Sequence, residues 1–181
     1  MQNALRAQLL RQLRLHRPID PIEAQALGDV LDFTETHPSP FDRQAFAPGH
    51  ITASVLLLSP DGTQLGLIQH QKLGRLLQPG GHVESSDDSV LAAALRELTE
   101  ETGVQSGEVE VLSEAPIDMD VHTIPAGPDE GAHCHFDLRY GVRLRSLRPL
   151  PQVTWLPLAD LPDANLRRAA RKLARLLPAA V

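Results

Sequence analysis

Arg96, Glu97, Glu100 and Glu101 stand in the run R-E-L-T-E-E-T-G-V, residues 96–104. At about 100° of rotation per residue, the three glutamates of a helix here fall within roughly a 100° sector, with Arg96 at its edge. Leu91, Leu95 and Leu98 fall on another side, so the helix can bury an apolar stripe and turn its acids toward a cleft. Carboxylates held this close repel one another, and their proton affinities rise unless a cation lies among them. A hard divalent ion with oxygen ligands meets that requirement. The preceding Pro79-Gly80-Gly81 lets backbone approach an ion or a phosphate where a side chain would block it, and a glycine carbonyl can then be a ligand. A lone E-x-x-E-E would be better read as a solvated helix end. Here it follows a Gly-Gly turn, which favours the metal-site reading.

These residues resemble the signature of the Nudix hydrolases, a glycine, five residues, a glutamate, seven residues, then R-E-apolar-x-E-E-x-G-apolar. Arg96, Glu97, Leu98, Glu100, Glu101, Gly103 and Val104 match its second half in full. The first half is a variant. Asp88 stands where the family has its first glutamate, and the spacing from Gly81 is one residue longer. In the family this carboxylate supports the arginine, so Asp88 is expected in that role, with Glu84 as the substitute.

The resemblance implies an α/β fold, an α/β/α sandwich around a mixed sheet, assigned to residues 48–181, with a helical extension over residues 1–47 and a further helix at the C-terminal end. It also implies metal-dependent hydrolysis of a diphosphate linkage in a nucleoside diphosphate joined to another moiety. Glu97, Glu100, Glu101 and the Gly80 carbonyl would hold Mg²⁺ or Mn²⁺, Arg96 would fix the carboxylates, and Glu100 is the expected general base. Two alternatives stay open, a nucleotide-sensing module that does not cleave and a prenyl diphosphate isomerase. Loss of a metal carboxylate would favour the first, and all three are present. The second would need a reactive cysteine in the cleft, whereas strand alternation puts Cys134 on an apolar face.

With 181 residues, 42% of them hydrophobic, the chain can build one domain with an appendage and a real core. A net charge of −6 and 3% aromatic residues argue against general nucleic-acid binding, which uses basic surface or stacking rings. A small phosphorylated substrate is compatible, because a bound metal supplies positive charge locally. Cys134 is the single cysteine, so no internal disulfide forms, and a reducing cytoplasm is the expected setting. No apolar run approaches the roughly 20 residues of a membrane span, and the Arg-rich start has no signal-peptide core.

The positioning elements follow from periodicity. Leu5, Leu9 and Leu13 predict a helix over 2–16, and Asp20-Pro21-Ile22-Glu23 predicts a second from there to Glu35. The pair is expected to serve as a structural lid or a homodimer contact. A strand hairpin is predicted over 50–69 around Pro60-Asp61-Gly62. Lys72 and Arg75 follow it in a polar loop, where they could meet a substrate phosphate. His82 and Glu84 alternate with Val83 and could both face the cleft. Further strands are predicted at 109–112, from Asp118 to His122, at 133–145 and at 153–156. A final helix over 165–177 sets Leu166, Ala169, Leu173 and Leu176 inward and Arg167, Arg168, Arg171, Lys172 and Arg175 outward.

The strand from His133 is the second place where chemistry is expected. His133, His135, Asp137 and Arg139 occupy its polar face, opposite Cys134, Phe136, Leu138 and Tyr140. That face is expected to wall the cleft and to touch substrate. A second metal site built from His122, His133 and His135 with Asp118, Asp120 and Asp137 is an alternative use of these side chains, and a structural hydrogen-bond network is another.

Overall fold

The computed structural model describes residues 2–70, 74–127 and 130–177. The elements run α1 (Gln2–Leu15), α2 (Pro21–Thr36), β1 (Gly49–Leu58), β2 (Gln64–His70), β3 (Arg75–Leu77), β4 (Gly80–His82), α3 (Val90–Thr102), β5 (Val109–Val111), β6 (Asp118–Ile124), β7 (His133–Leu144), β8 (Val153–Pro157) and α4 (Ala164–Leu176). The strands join in one mixed sheet whose central path is β3-β2-β1-β7-β5, with β4 on β1, β6 on β7 and β8 on β2. The β1–β7 pair is parallel and runs from Gly49 opposite Cys134 to Leu58 opposite Arg143. Every other pairing is antiparallel, including the expected β1–β2 hairpin.

Alternation along β1 and β7 divides the interior into two layers. Ile51, Ala53, Val55 and Leu57 of β1, with Phe136, Leu138, Tyr140, Val142 and Leu144 of β7, pack with residues of α1, α2 and α3. On the other face Leu56 and Leu58 pack with Leu166, Ala169 and Leu173 of α4. That face also carries Thr52, Ser54, His135, Asp137 and Arg139, which line a cleft instead of a helix contact. One side of the two central strands is therefore core at one end and site at the other.

The first two helices belong to this core. Leu5, Leu9, Leu13, Ala26, Val30 and Phe33 are buried in it, and the Phe33 ring stacks on Phe136 with centroids 4.0 Å apart and planes 2° from parallel. Phe136→Ala removes both the buried ring and its stacking partner, and is expected to cost about 3–5 kcal/mol in a urea titration.

A buried ionic knot ties α2 to α4. Glu23 is fully buried, and its carboxylate accepts from the Ile19 N–H at 2.8 Å and is bonded by His16 Nε2 at 2.7 Å and by Lys172 Nζ. Lys172 was expected on the exposed side of its helix, but its stem reaches across to this carboxylate. Burial alone would raise the Glu23 carboxyl, yet the bonds from His16, Lys172 and the Ile19 N–H hold it at about 2 instead of 4.5. A lowered carboxyl contributes stability that is present above its unfolded value and is lost as pH falls toward the folded one. Between pH 4.5 and 2, wild type should therefore lose about 3 kcal/mol that Glu23→Gln does not lose over the same window. Urea midpoints across that range check it.

Candidate active site

Helix α3 is delimited by its sequence. Ser89 Oγ accepts from the Ala92 N–H at 3.0 Å, and Gly103 adopts the left-handed conformation, φ 73°, to close the C-terminal turn. Its buried face is Val90, Ala93, Ala94, Leu98 and Thr102, while Leu91 and Leu95 are only half-buried. The buried face is thus centred on the alanines and Leu98, with Leu91 and Leu95 packed at its edge.

Arg96 organises the turn beneath. Its Nε and Nη2 donate to Asp87 Oδ1 and Oδ2 at 3.1 and 3.0 Å, Nη2 also to the His82 carbonyl at 2.7 Å, and Nη1 to Glu97 at 2.9 Å and Glu100 at 3.3 Å. The Asp87 bonds lead in pushing its proton affinity up, with further support from Glu97. Asp87, not Asp88 or Glu84, is therefore the acid that supports Arg96. Asp88 and the Glu84 side chain face outward, and Glu84 holds Asp87 through its backbone, its N–H donating to Asp87 Oδ2 at 2.8 Å and its carbonyl accepting from the Asp87 N–H at 3.1 Å. Counted forward from Gly81 the family spacing lands on Asp87, so the extra residue lies between it and the helix.

The carboxylates divide by exposure. Glu97 and Glu101 line a cleft of about 580 Å³, whereas the Glu100 side chain is 58% exposed and is not among the lining residues. Glu101 Oε2 accepts from the Gly80 N–H at 2.8 Å. A Cβ on Gly80 would stand 2.7 Å from the Ala53 carbonyl and the Ser54 Cα, so only glycine lets this strand pass so close, and one on Gly81, 2.5–2.6 Å from the Glu97 carboxyl group, would displace it. Burial raises the proton affinity of both acids. At Glu97 the Arg96 bond opposes this while Glu100 and Glu84 add to it, and at Glu101 the Gly80 bond opposes while Glu97 and Glu100 add. Desolvated like charges with oxygens turned to a cleft suit a hard divalent cation.

The opposite wall comes from the β1–β7 ladder. Thr52 is in register with Asp137 and Ser54 with Arg139. Asp137 accepts from Thr52 Oγ1 at 3.1 Å, Ser54 Oγ at 2.7 Å, Gln78 Nε2 at 3.2 Å and Arg139 Nε at 3.4 Å. Arg139 also pairs with Asp118 at 3.1 Å and Asp120 at 3.2 Å. Asp137 and Arg139 thus reach the cleft surface as members of a closed network. Arg168, expected among the exposed cations of α4, is buried, and its Nε donates to Asp118 at 2.8 Å.

The histidines form their own group. His82 and His135 line the cleft. Burial leads in lowering them to about 4 and about 3, reinforced by neighbouring histidines, so both are neutral at pH 7. His133 is buried away from the cleft lining, beside Phe46, His50 and His135. His122 lines the cleft and bonds Asp120 at 3.1 Å. His122 and Asp120 meet as a pair, but the alternative metal set does not gather at one point: Asp118, Asp120 and Asp137 are engaged by Arg139 and Arg168, His122, Asn165 or hydroxyls, while His133 and His135 converge with His50.

Arg75 stands exposed at the rim of the cleft. Lys72 lies outside the described residues, as do Pro128 and Asp129 of the 124–131 loop. Cys134 is half-buried against the core and is not a lining residue. His50, Thr52 and Ser54 were not singled out by the pattern of the chain, although polar residues at alternate positions of an apolar strand were the available signal.

Residues 48–177 match the family profile described as the NUDIX domain. The chain belongs to the Nudix hydrolase family. It is 38% identical over 74 residues to the Nudix hydrolase NudL of Escherichia fergusonii, a match covering 37% of this chain and 38% of that protein. An Escherichia coli NudL shows the same identity over the same length. The chain thus spans well under half the length of these curated relatives. The fold is similar to that of a C. elegans Ap4A hydrolase, with TM-score 0.53 and 18% identity over 71% of this chain and 98% of that one. It is also similar to the E. coli dihydroneopterin triphosphate pyrophosphohydrolase, with TM-score 0.53 and 14% identity over 69% and 95%. No helix among the described residues is long and apolar enough to cross a membrane.

Proposed function

We propose that this protein is a metal-dependent hydrolase that cleaves a diphosphate linkage in a nucleoside diphosphate joined to another group. The observation that carries the reading is the pair of desolvated carboxylates, Glu97 and Glu101, facing a 580 Å³ cleft across two glycines. A cleft of that size suits a nucleotide-sized ligand. Glu97, Glu101 and the Gly80 carbonyl, with Glu100 reaching from the rim, would hold Mg²⁺ or Mn²⁺. Such an ion supplies positive charge against phosphoryl oxygens and acidifies water.

The chain's own residues do the rest. Arg96 is a positioning residue, since its donors are spent on Asp87, Glu97, Glu100 and the His82 carbonyl. The exposure of Glu100 moves our assignment of the base from that residue to the cleft-facing pair, whose raised proton affinity suits acceptance of a proton from water. Neutral His82 and His135 offer hydrogen bonds to substrate without fixed charge, and Arg75 meets an outer phosphate at the rim. Asp137 and Arg139 hold the floor of the cleft in shape.

A product screen tests this reading with Mg²⁺ or Mn²⁺ over nucleoside di- and triphosphates, nucleotide sugars, dinucleoside polyphosphates and dinucleotide cofactors. Metal-dependent cleavage of a phosphoanhydride bond is expected, with the attacked phosphorus identified in labelled water. Nucleotide binding without turnover, with either metal and any compound, would instead make the protein a sensing module.

A further inference from the structure

We propose that His50, His133 and His135 form a second metal site, separate from the glutamates and suited to a zinc-class transition ion. The β1–β7 ladder builds it. His50 and His135 are register partners on parallel strands, and His133 lies two residues earlier on the same face of β7. Strand spacing alone, about 4.8 Å between neighbours and about 7 Å between alternate residues, does not bring ligand atoms onto one ion. The side chains close that gap, since their candidate ligand atoms all lie within 4.8 Å of one another. His133 Nε2 and His135 Nε2 are 3.3 Å apart, a hydrogen bond between the two rings that a shared ion would replace. Two nitrogens held at about 2.0–2.1 Å by one tetrahedral ion are separated by about 3.4 Å.

Backbone hydrogen bonds set the tautomer that ligation needs in two of the three rings. His133 Nδ1 donates to the Gly131 carbonyl at 2.7 Å, and His50 Nδ1 to the Ala45 carbonyl at 3.3 Å. Each bond leaves Nε2 as the lone-pair atom and fixes the ring, the arrangement that orients metal-bound histidines. His50 is 1% exposed, and its Nε2 has no hydrogen-bond partner among the described residues. A buried acceptor left in that state is costly unless something else engages it.

The donor set also selects the ion. Imidazole suits zinc and its neighbours, whereas magnesium prefers carboxylate and carbonyl oxygen. The nearby acids on β6 and β7 are taken up by arginines and hydroxyls, so they do not turn this into an oxygen site. Three protein nitrogens leave a fourth tetrahedral position for water or for a cleft ligand. His135, which lines the cleft, puts the site beside the glutamate cluster, and the His82 ring lies 4.9 Å from that of His50.

Cobalt provides the test, because tetrahedral Co²⁺ absorbs strongly in the visible range while octahedral Co²⁺ absorbs weakly. Chelator-stripped protein titrated with Co²⁺ should develop the strong band at one equivalent per chain, and Zn²⁺ but not excess Mg²⁺ should abolish it. Glu97→Gln and Glu101→Gln should keep the band. His50→Ala and His133→Ala should lose it, with Zn²⁺ affinity falling by at least about 100-fold, more than the loss of a ligand's hydrogen-bond partner costs. Absence of the band in wild type, or its survival in folded His50→Ala and His133→Ala, would overturn the proposal. If those variants do not fold, His135→Gln at the cleft surface takes their place, and the wild-type spectrum decides independently. Because the readout is the ion's own spectrum, failure of the hydrolase reading would leave this result standing.

Discussion

Glu101→Gln is expected to lower turnover by about 10²- to 10³-fold while leaving the folded protein as stable as wild type or more so. The amide keeps the shape of the side chain, and its oxygen can still accept from the Gly80 N–H that Glu101 takes at 2.8 Å. It removes a charge that burial and the neighbouring Glu97 and Glu100 both disfavour. The sign follows from the raised proton affinity. Above its folded value the carboxylate is ionised in the folded and unfolded states alike, but only the folded state pays for its desolvation. That penalty is absent well below pH 4.5 and grows as pH rises through the folded value. Wild type should therefore lose more stability over that rise than Glu101→Gln, which keeps only the penalty of Glu97. Added Mg²⁺ should raise the melting temperature of wild type more than that of the variant. Undiminished turnover in Glu101→Gln, or in wild type with excess chelator, would remove the metal from the reaction.

The parts of the molecule that sequence reveals best are those fixed by local chemistry. Gly103 closes α3, Asp20 caps α2, and the alternation of β7 separates Phe136 and Leu138 from His135 and Asp137, all within a few residues of chain. Less legible is what depends on a distant partner. Helical periodicity groups Arg168 and Lys172 with solvated cations, yet both are drawn inward, by Asp118 and Glu23, across 50 and 149 residues of sequence. His50 looks like the unremarkable start of an apolar strand until the parallel ladder sets it beside His135. Strands β3 and β4 span three residues each, too short for any periodicity to emerge. Asp87 and Asp88 are adjacent acids that match the family spacing from its two different ends, and the bidentate geometry of Arg96 decides between them.

Asp118→Ala is expected to destabilise the protein by about 3–5 kcal/mol, as large a loss as truncating a core aromatic. Asp118 is wholly buried and accepts from Arg168 Nε at 2.8 Å, Arg168 Nη2 at 3.1 Å and Arg139 Nη1 at 3.1 Å. Burial raises its proton affinity, opposed by those two guanidinium groups. Arg139 keeps Asp120 and Asp137 when Asp118 is removed. Arg168 fares worse: among the described residues it is left with hydrogen bonds to the Met119 carbonyl at 2.9 Å and Asn165 at 3.1 Å, with Asp20 and Glu23 acting on it only through space, and it is 2% exposed. The cost is therefore mainly that of a buried cation without its direct ion-pair partner. Replacing both members removes that cation, so Asp118→Ala combined with Arg168→Met should recover at least half of the loss, a coupling that independent sites would not show. Asp118 does not line the cleft, but Arg139 does, so the single variant should also raise KM by loosening the floor on which substrate rests. A urea-derived loss below about 1 kcal/mol, the range of exposed ion pairs, would show that this network is solvated and contributes little to the fold.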